Sequence, residues 1–374
     1  MVQYIWQSDS WPEFHWESAA LLRPLGMTRQ SQGELIAKSG YFELEIQAEV
    51  LIEEAITTAA IEGEVLNRDS VCSSVARRLG LPTAGLSVAE RSVDGLVEML
   101  IDATRYHEKP LTASRLKGWQ AALFPTGYSG MRHIVVGDWR RGKEPMQVVS
   151  GPMGKETVHY EAPPSKLVNG EVKSFLTWFR SSPEELDGLI RAAIAHLKFV
   201  TIHPFEDGNG RIARAIADMA LAQDYNMDYR LYSMSAQIRE DRDDYYDLLE
   251  RTQKGDGEIT EWIVWFLGCL KRAIQHSDSE IRKVMEKARL WEKIAHLGLN
   301  DRQRKVVNRL LEAGPGSFEG GMTNRKYRGM TKATRETAKR DISDLVTKGI
   351  LVKRPGGGRS SSYDLGRTID SELG

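Results

Sequence analysis

Between Tyr41 and Leu66 the apolar residues Leu44, Ala48, Leu51, Ile52, Ala55, Ile56 and Ala59 recur at intervals of three and four, the spacing of one helix face. Gly63 follows as a natural C-terminal stop. The same period predicts a helix over 88–106 and further helices in "EVKSFLTWFRSS", "LDGLIRAAIAHLKFVTIH" and "RIARAIADMALAQDY". Two more cross "DRDDYYDLLERTQKGDGEITEWIVWFLGCLKRAIQHS", the second continuing as a charged helix to about Lys293. Alternation of period two marks two short runs, Ile134–Val136 and Met146–Val149, on either side of a basic turn, which predicts one hairpin. The first forty residues are rich in Trp, Pro and Gly, and the long helical pattern begins after them. The body reads as mainly α, a helical bundle with one hairpin.

Near Leu299 the pattern changes. "NDRQRKVVNRLLEAG" is a helix with Asn300 as N-cap, "MTNRKYRGM" a short second helix, and "TKATRETAKRDISDLVTKG" a third with Thr331 as N-cap. "ILVKRPGGGRSSSYDL" then reads as two strands around a Pro-Gly-rich turn. Three helices and a β-wing describe a winged helix-turn-helix. Charge follows the same division. Residues 301–364 carry 15 Lys and Arg against 7 Asp and Glu, a net of +8, while the rest of the chain carries 36 against 45, a net of −9. The whole molecule, at −1, has no bias toward nucleic acid or an anionic membrane. Cys72 and Cys269 are too few for a disulfide framework or a cysteine zinc site. The N-terminus shows no signal-peptide pattern, and the longest apolar stretch, "WIVWFLGCL", is too short to span a bilayer. A cytoplasmic protein with no membrane partner is expected.

The chemistry concentrates in "HPFEDGNGRIAR", His203 to Arg214. Gly208 and Gly210 flank Asn209 just before a helical run, where glycines let successive N–H groups turn into one concavity. The helix start adds unpaired N–H groups and its positive dipole end. Arg211 and Arg214, three apart, project on one side as fork-shaped cations suited to a polyphosphate. His203 beside such a cradle is a candidate general base. Asp207 would repel phosphates there unless Mg²⁺ mediates. Phe205 is expected to anchor the loop in the core. On spacing alone, an architectural His-Pro turn before a glycine-rich helix entry stays open. "GPMGKET" (Gly151–Thr157) is a poor phosphate loop, with Val149 and Glu156 where the first glycine and the Ser/Thr should stand. A zinc hydrolase is disfavoured, since no HExxH exists and His196 and His203 have no partner at ligand spacing.

Those twelve residues resemble the Fic-domain signature His-x-Phe-x-(Asp/Glu)-Gly-Asn-Gly-Arg-x-x-Arg without a departure, and the helices from Leu111 to Leu270 resemble a Fic core. With "YIWQSDSWPEFHW" and the winged helix, the chain resembles a bacterial three-part Fic arrangement. That implies an N-terminal helical region with an inhibitory helix over 1–106, a catalytic core over 107–293 and a winged helix over 294–374. It also implies a protein adenylyltransferase that moves AMP from ATP, with Mg²⁺, onto a Ser, Thr or Tyr hydroxyl of a target protein and of itself. His203 would be the base, and Asp207 would hold the metal. The run Gly208, Asn209, Gly210, Arg211, Ile212, Ala213 and Arg214 would bind the nucleotide, with Asn209 and the glycine amides on the α-phosphate and the arginines on the β- and γ-phosphates. The hairpin at Arg132–Gly151 resembles the flap on which a target docks as an added strand, and Val148, Val149, Ser150 and Gly151 would cover the nucleotide. "DDYYDLLERTQ" resembles the adenosine-contacting segment, through Tyr246 and, more weakly, Gln253; helix packing is the competing role. Thr58-x-x-x-Glu62-Gly63 resembles the inhibitory motif of one Fic class, with Glu62 as the brake. A homodimer is expected. Two other readings remain: a de-AMPylating enzyme on the same residues, and a nucleotide-sensing regulator that binds DNA, or a protein, through residues 295–365.

Overall fold

The computed structural model describes residues 4–38, 44–81, 88–151, 155, 157–313, 318, 320–354 and 361–366. The chain forms two compact units, Met1–Asp278 and Ser279–Gly374. The first begins with a 3-10 turn (Ile5–Gln7) and helices α1 (Ser18–Lys38), α2 (Leu44–Ile61), α3 (Arg68–Leu79), α4 (Arg91–Arg105) and α5 (Ala113–Leu123). Four short strands follow: β1 (Tyr128–Ser129), β2 (Arg132–His133), β3 (Gln147–Ser150) and β4 (Thr157–Glu161). Then come α6 (Ser165–Ser181), α7 (Gly188–Ile202), α8 (Asn209–Tyr225), α9 (Met234–Glu240), α10 (Arg242–Gln253) and the part of α11 (Thr260–Ile294) up to Asp278. Among the described residues no helix is long and apolar enough to cross a membrane.

The centre of this unit is the α7–α8 pair. Every residue of α7 from Leu189 to Ile202 is buried, as are nearly all of α8 from Asn209 to Ala222. A helix buried all round belongs in the middle of a bundle. α7 ends where His203 takes the left-handed conformation (φ 49°) and Pro204 removes the next N–H. α8 starts after Gly208, also left-handed at φ 88°. The six-residue link thus joins the two most buried helices, which fixes both of its ends.

α2 matches its apolar period and ends as expected. Gly63 is left-handed (φ 82°), and the Glu64 N–H closes the turn on the Ala59 carbonyl at 3.0 Å. The first forty residues contain a helix, α1, that apolar periodicity does not mark. Its buried stripe alternates Leu21 and Leu35 with Thr28 and Gln32, polar groups satisfied by the Leu267 carbonyl and Asp224.

The predicted hairpin is replaced by another. β3 pairs antiparallel with β4, in register Gln147↔Glu161, Val148↔Tyr160, Val149↔Val158 and Ser150↔Thr157, with an irregularity between Val148 and Val149. Ile134–Val136 is not a strand, so the hairpin expected at Arg132–Gly151 is not formed, and the observed one pairs Gln147–Ser150 with Thr157–Glu161. The reason is where the backbone of that segment finds partners. The Val135 N–H donates to Glu206, the Gly137 N–H to Gln120, and the Arg140 N–H to the Pro204 carbonyl. With Ile134 buried beneath, the segment braces the α7–α8 link rather than pairing as a strand.

The second unit contains α12 (Asp301–Ala313), α13 (Asn324–Thr331), α14 (Arg335–Thr347) and an antiparallel pair of strands, β5 (Leu351–Lys353) and β6 (Tyr363–Leu365). A bridge between Met322 and Tyr363 adds to the pair. Asn300 caps α12 in a reciprocal box with Gln303. Thr331 is not the N-cap of α14: it is the last residue of α13, which Lys332 ends in a left-handed turn, and Thr334 is the cap, accepting from the Thr337 N–H. Two acids of α14 are engaged within the unit. Asp341 accepts from Arg302 and Tyr327, and Asp344 from Gln303 and Lys348. The centre of the predicted Pro-Gly turn, 355–360, lies outside the described residues.

Candidate active site

His203 is half-buried on the last turn of α7, its Nδ1 3.3 Å from the Val200 carbonyl. A carbonyl only accepts, so Nδ1 carries the proton and the Nε2 lone pair is left for another proton. Burial pushes the imidazole pKa down to about 4, a fall that the Val200 hydrogen bond opposes and Arg140 assists. The ring is therefore neutral near pH 7. Arg140 fixes the loop from behind, donating from Nε to the His203 carbonyl at 2.7 Å and from Nη2 to the Pro163 carbonyl.

The loop that follows is closed from inside. Phe205 is fully buried, as expected. Asn209, 2% exposed, accepts from the Phe205 N–H at 3.0 Å and donates to the Phe205 carbonyl at 2.9 Å. Both ends of its amide thus hold the turn, which leaves its backbone N–H for a ligand. Asp207 accepts from the Gly208 N–H at 2.6 Å and from Ser129 Oγ, and its side chain is 36% exposed. A side chain on Gly208 would meet Phe124 at 3.0 Å in addition to the strain of positive φ. With glycine as N-cap, no side-chain oxygen covers the first turn of α8.

What lies against that turn is Glu62. A Cβ on Gly210 would stand 2.2 Å from Glu62 Oε1. The same oxygen accepts from Arg214 Nη2 at 2.7 Å. Arg214, 2% exposed, also donates from Nε to Thr58 Oγ1 at 2.8 Å and from Nη2 to the Thr58 carbonyl at 3.0 Å. Burial works against its charge, but Glu62 reverses this and holds the guanidinium above its ordinary range. Arg211 is 4% exposed and donates from Nη1 to Glu64 at 2.9 Å. Each arginine keeps one buried nitrogen, Nη1 of Arg214 and Nε of Arg211, with no hydrogen-bond partner among the described residues. A cavity of about 480 Å³, lined by Glu64, Phe124, Tyr128, Ser129 and Arg211 among others, opens beside Arg211. Sequence reasoning picked out Glu62 and missed Glu64. The signal was the acidic residue two positions on, just past the helix stop.

The remaining expected residues are spread around this centre. Ile212 and Ala213 are fully buried, so only their backbone is left to meet a nucleotide. Tyr246 donates to the Ile61 carbonyl at 3.3 Å, joined by Arg242 Nε at 3.3 Å, so the end of α2 is capped from α10. Gln253, 3% exposed, donates to Thr201 Oγ1 at 3.3 Å and packs against α7. Val148 is half-buried, while Val149, Ser150 and Gly151 are exposed. Their hairpin is tied to α7 by Tyr160, whose hydroxyl donates to the Thr201 carbonyl at 2.6 Å.

The link and the first turn of α8 thus bring a neutral histidine, two buried arginines and an uncapped helix start to one place. Residues 110–221 match the Fic/DOC family, so the chain carries a Fic domain. Residues 4–81 match a domain of unknown function, DUF4172. The chain is 37% identical over 106 residues to "Protein adenylyltransferase Fic" of Nematostella vectensis, an alignment covering 28% of this chain and 23% of that protein. It is 42% identical over 57 residues to "Protein adenylyltransferase fic-1" of Caenorhabditis elegans, covering 15% and 11%. The matches thus span less than a quarter of those relatives' lengths. In fold, it is similar to the crystal structure of a Fic family protein from Desulfovibrio desulfuricans G20, with a TM-score of 0.57, 17% identity, and coverage of 95% of this chain and 98% of that one.

Proposed function

We propose that the chain is a protein adenylyltransferase held in check by its own α2, transferring AMP from ATP to a Ser, Thr or Tyr hydroxyl of a target protein. The observation that carries this reading is the pair of buried guanidiniums, each with an unpartnered nitrogen, at the uncapped start of α8 beside a neutral histidine. Such a site offers a triphosphate several charge-assisted hydrogen bonds. The Asn209 and Gly210 N–H groups take the α-phosphate, and Arg211 and Arg214 the β- and γ-phosphates. His203 Nε2 accepts the target hydroxyl's proton as the oxygen bonds to Pα and the bond to pyrophosphate breaks. Positioning and charge neutralisation supply most of the catalysis in such transfers.

Asp207 fits a role in holding Mg²⁺. It is a single oxygen-donor group, more than a third exposed beside the phosphate site, and Mg²⁺ is commonly held by one or two carboxylates plus substrate phosphates. When bound, the ion neutralises phosphate charge. The β3–β4 hairpin, with Val149 and Val158 exposed, is suited to lining up a target segment as an added strand. Glu62 is the brake, because its carboxylate lies where a phosphate oxygen would lie and uses the arginine that phosphate needs. The test is incubation with ATP labelled in either the α- or the γ-phosphate, followed by mass spectrometry of the protein. Incorporation from the α-label is expected; incorporation only from the γ-label would replace adenylylation with phosphorylation.

A further inference from the structure

Next to the end of α7 lies a cavity that the proposed transfer does not use. It measures about 740 Å³, within the range of small-molecule sites. Trp11, Phe14 and Trp16 of the N-terminal segment line one part of it, Phe175 and Trp178 of α6 another. Ile202 lines it as well and directly precedes His203. Phe175 packs on Phe199 with 5.8 Å between ring centres, and Phe199 packs on Phe205 of the α7–α8 link at 6.4 Å. An occupant would therefore share its wall with the turn that carries the candidate base.

The chemistry of the cavity is set by one side chain. Lys198, 6% exposed, lines it among those rings. A lysine is rarely buried without a partner for its charge. The ammonium has three N–H groups, and among the described residues the Pro12 carbonyl is the one acceptor they reach. Its other close neighbours are ring faces, with Nζ 4.6 Å from the centre of Phe14, 5.1 Å from Trp178 and 5.7 Å from Trp11. Such faces attract a cation but offer no strong acceptor. Burial pushes the Lys198 pKa down to about 8, and Glu13 and Glu171 oppose the fall. Neither carboxylate is a full partner. Glu171 already accepts from Trp11 Nε1 at 2.8 Å. Glu13, Glu185 and Lys173, the other charged groups of the lining, are exposed, so water screens them.

Two features of a ligand would complement such a site. A carboxylate gives the ammonium a charged acceptor. A flat aromatic body matches walls made of rings, which stack or meet edge to face. We propose that this cavity is a binding site for a small aromatic carboxylate, its rings lodged among the tryptophan and phenylalanine side chains and its carboxylate hydrogen-bonded to the Lys198 ammonium.

The test uses the full chain without nucleotide, so its outcome is independent of the adenylyltransferase reading. Calorimetry compares naphthylacetate with naphthylacetamide, naphthylethylamine and octanoate. Naphthylacetate should bind tightest. The amide has the same shape without the charge and should bind about fivefold or more weakly, the difference between a charge-assisted and a neutral hydrogen bond. Lys198→Met, which keeps the apolar stem and removes the charge, should weaken naphthylacetate about tenfold or more. Affinity should also fall as pH rises past about 8, where the buried ammonium loses its proton. Equal affinity for acid and amide, tighter binding of the amine, or unchanged affinity in a folded Lys198→Met chain overturns the role of the ammonium. Octanoate binding as tightly as naphthylacetate overturns the aromatic class, and no binding of naphthylacetate overturns the site. The comparison of acid with amide is made on the native chain, so the proposal can be refuted even if Lys198→Met does not fold.

Discussion

Replacing Glu62 with glycine should release the enzyme, and the contacts set the size of the effect. Glu62 is 29% exposed and Arg214 is 2% exposed, joined at 2.7 Å. A surface pair is worth at most about 1 kcal/mol, but this arginine is not at the surface. Removing one partner of a fully buried pair costs about 3–5 kcal/mol, but this carboxylate reaches solvent. One charge-assisted hydrogen bond, about 1.5–3 kcal/mol, lies between these limits. If the paired state binds ATP with its phosphates misplaced, removing that preference raises kcat/KM by about 10- to 150-fold. The gain has a structural cost. Arg214 keeps Thr58 as acceptor but loses its counter-charge, so the ATP-free Glu62→Gly protein should melt below the native one. Saturating ATP should restore more stability to the variant than to the native protein, because phosphate replaces the lost carboxylate. Glu62→Gln, which keeps an acceptor without the charge, should fall between. Initial rates of α-label incorporation, with melting curves at zero and saturating ATP, measure both effects. A folded Glu62→Gly protein that binds ATP and incorporates label within twofold of native would refute the brake.

Further outcomes follow from the same geometry. Glu64→Gln should free Arg211 and lower the KM for ATP, but by no more than about fivefold, since Glu64 is 47% exposed and such pairs contribute up to about 1 kcal/mol; an ATP titration in the Glu62→Gly background isolates it. His203→Ala should lower transfer to target proteins by about 10²–10⁴ while leaving ATP affinity, read by calorimetry, within twofold. Because the neutral ring is the active form and its pKa is depressed to about 4, the native rate should stay flat through pH 6.5, where an ordinary histidine would titrate, and be lost only as pH falls toward 4. The same shift makes His203's contribution to stability present above pH 6.5 and lost between there and 4, as the unfolded chain takes up the proton first. Gly208→Ala should destabilise the first unit by about 1–3 kcal/mol in urea unfolding, given its φ of 88° and the Phe124 contact.

Much of the site was legible because its information is local. The twelve residues from His203 to Arg214 carry the candidate base, the turn and the cations in one continuous stretch, and the stop of α2 at Gly63 can likewise be read from a few neighbouring positions. The fold was legible where burial is mostly apolar, as along α4. It was not legible in α1, whose buried face includes Thr28 and Gln32 with partners about two hundred residues away. Strand pairing failed for a related reason. Ile134–Val136 alternates like a strand, but its neighbourhood is claimed by Glu206, Gln120 and Pro204, and no local pattern announces that competition. Asn209 looked like a phosphate ligand because its type and place suited one. Only the structure shows its side chain closing the loop on Phe205.

How the proposed brake would let go is constrained by what holds α2. Leu51, Ile52, Ala55, Ala59 and Ile61 are each 5% exposed or less. Glu54, fully buried, accepts from Ser233 Oγ at 2.8 Å, from the Ser235 N–H at 3.1 Å and from Ser235 Oγ. Moving the helix would expose several apolar side chains at about 1.5–3 kcal/mol for each large one and would strip a buried carboxylate of its donors. Turning the Glu62 side chain breaks one ion pair at a position already open to solvent. The second route is cheaper by several kcal/mol on these figures, so α2 can stay in place while the enzyme works. That matters for Arg214. Its hydrogen bonds to Thr58 come from the same helix, one turn before Glu62, and they survive the rotation. On the reading proposed above, the element that would block the γ-phosphate site would therefore also keep the arginine aimed at it once the carboxylate has moved.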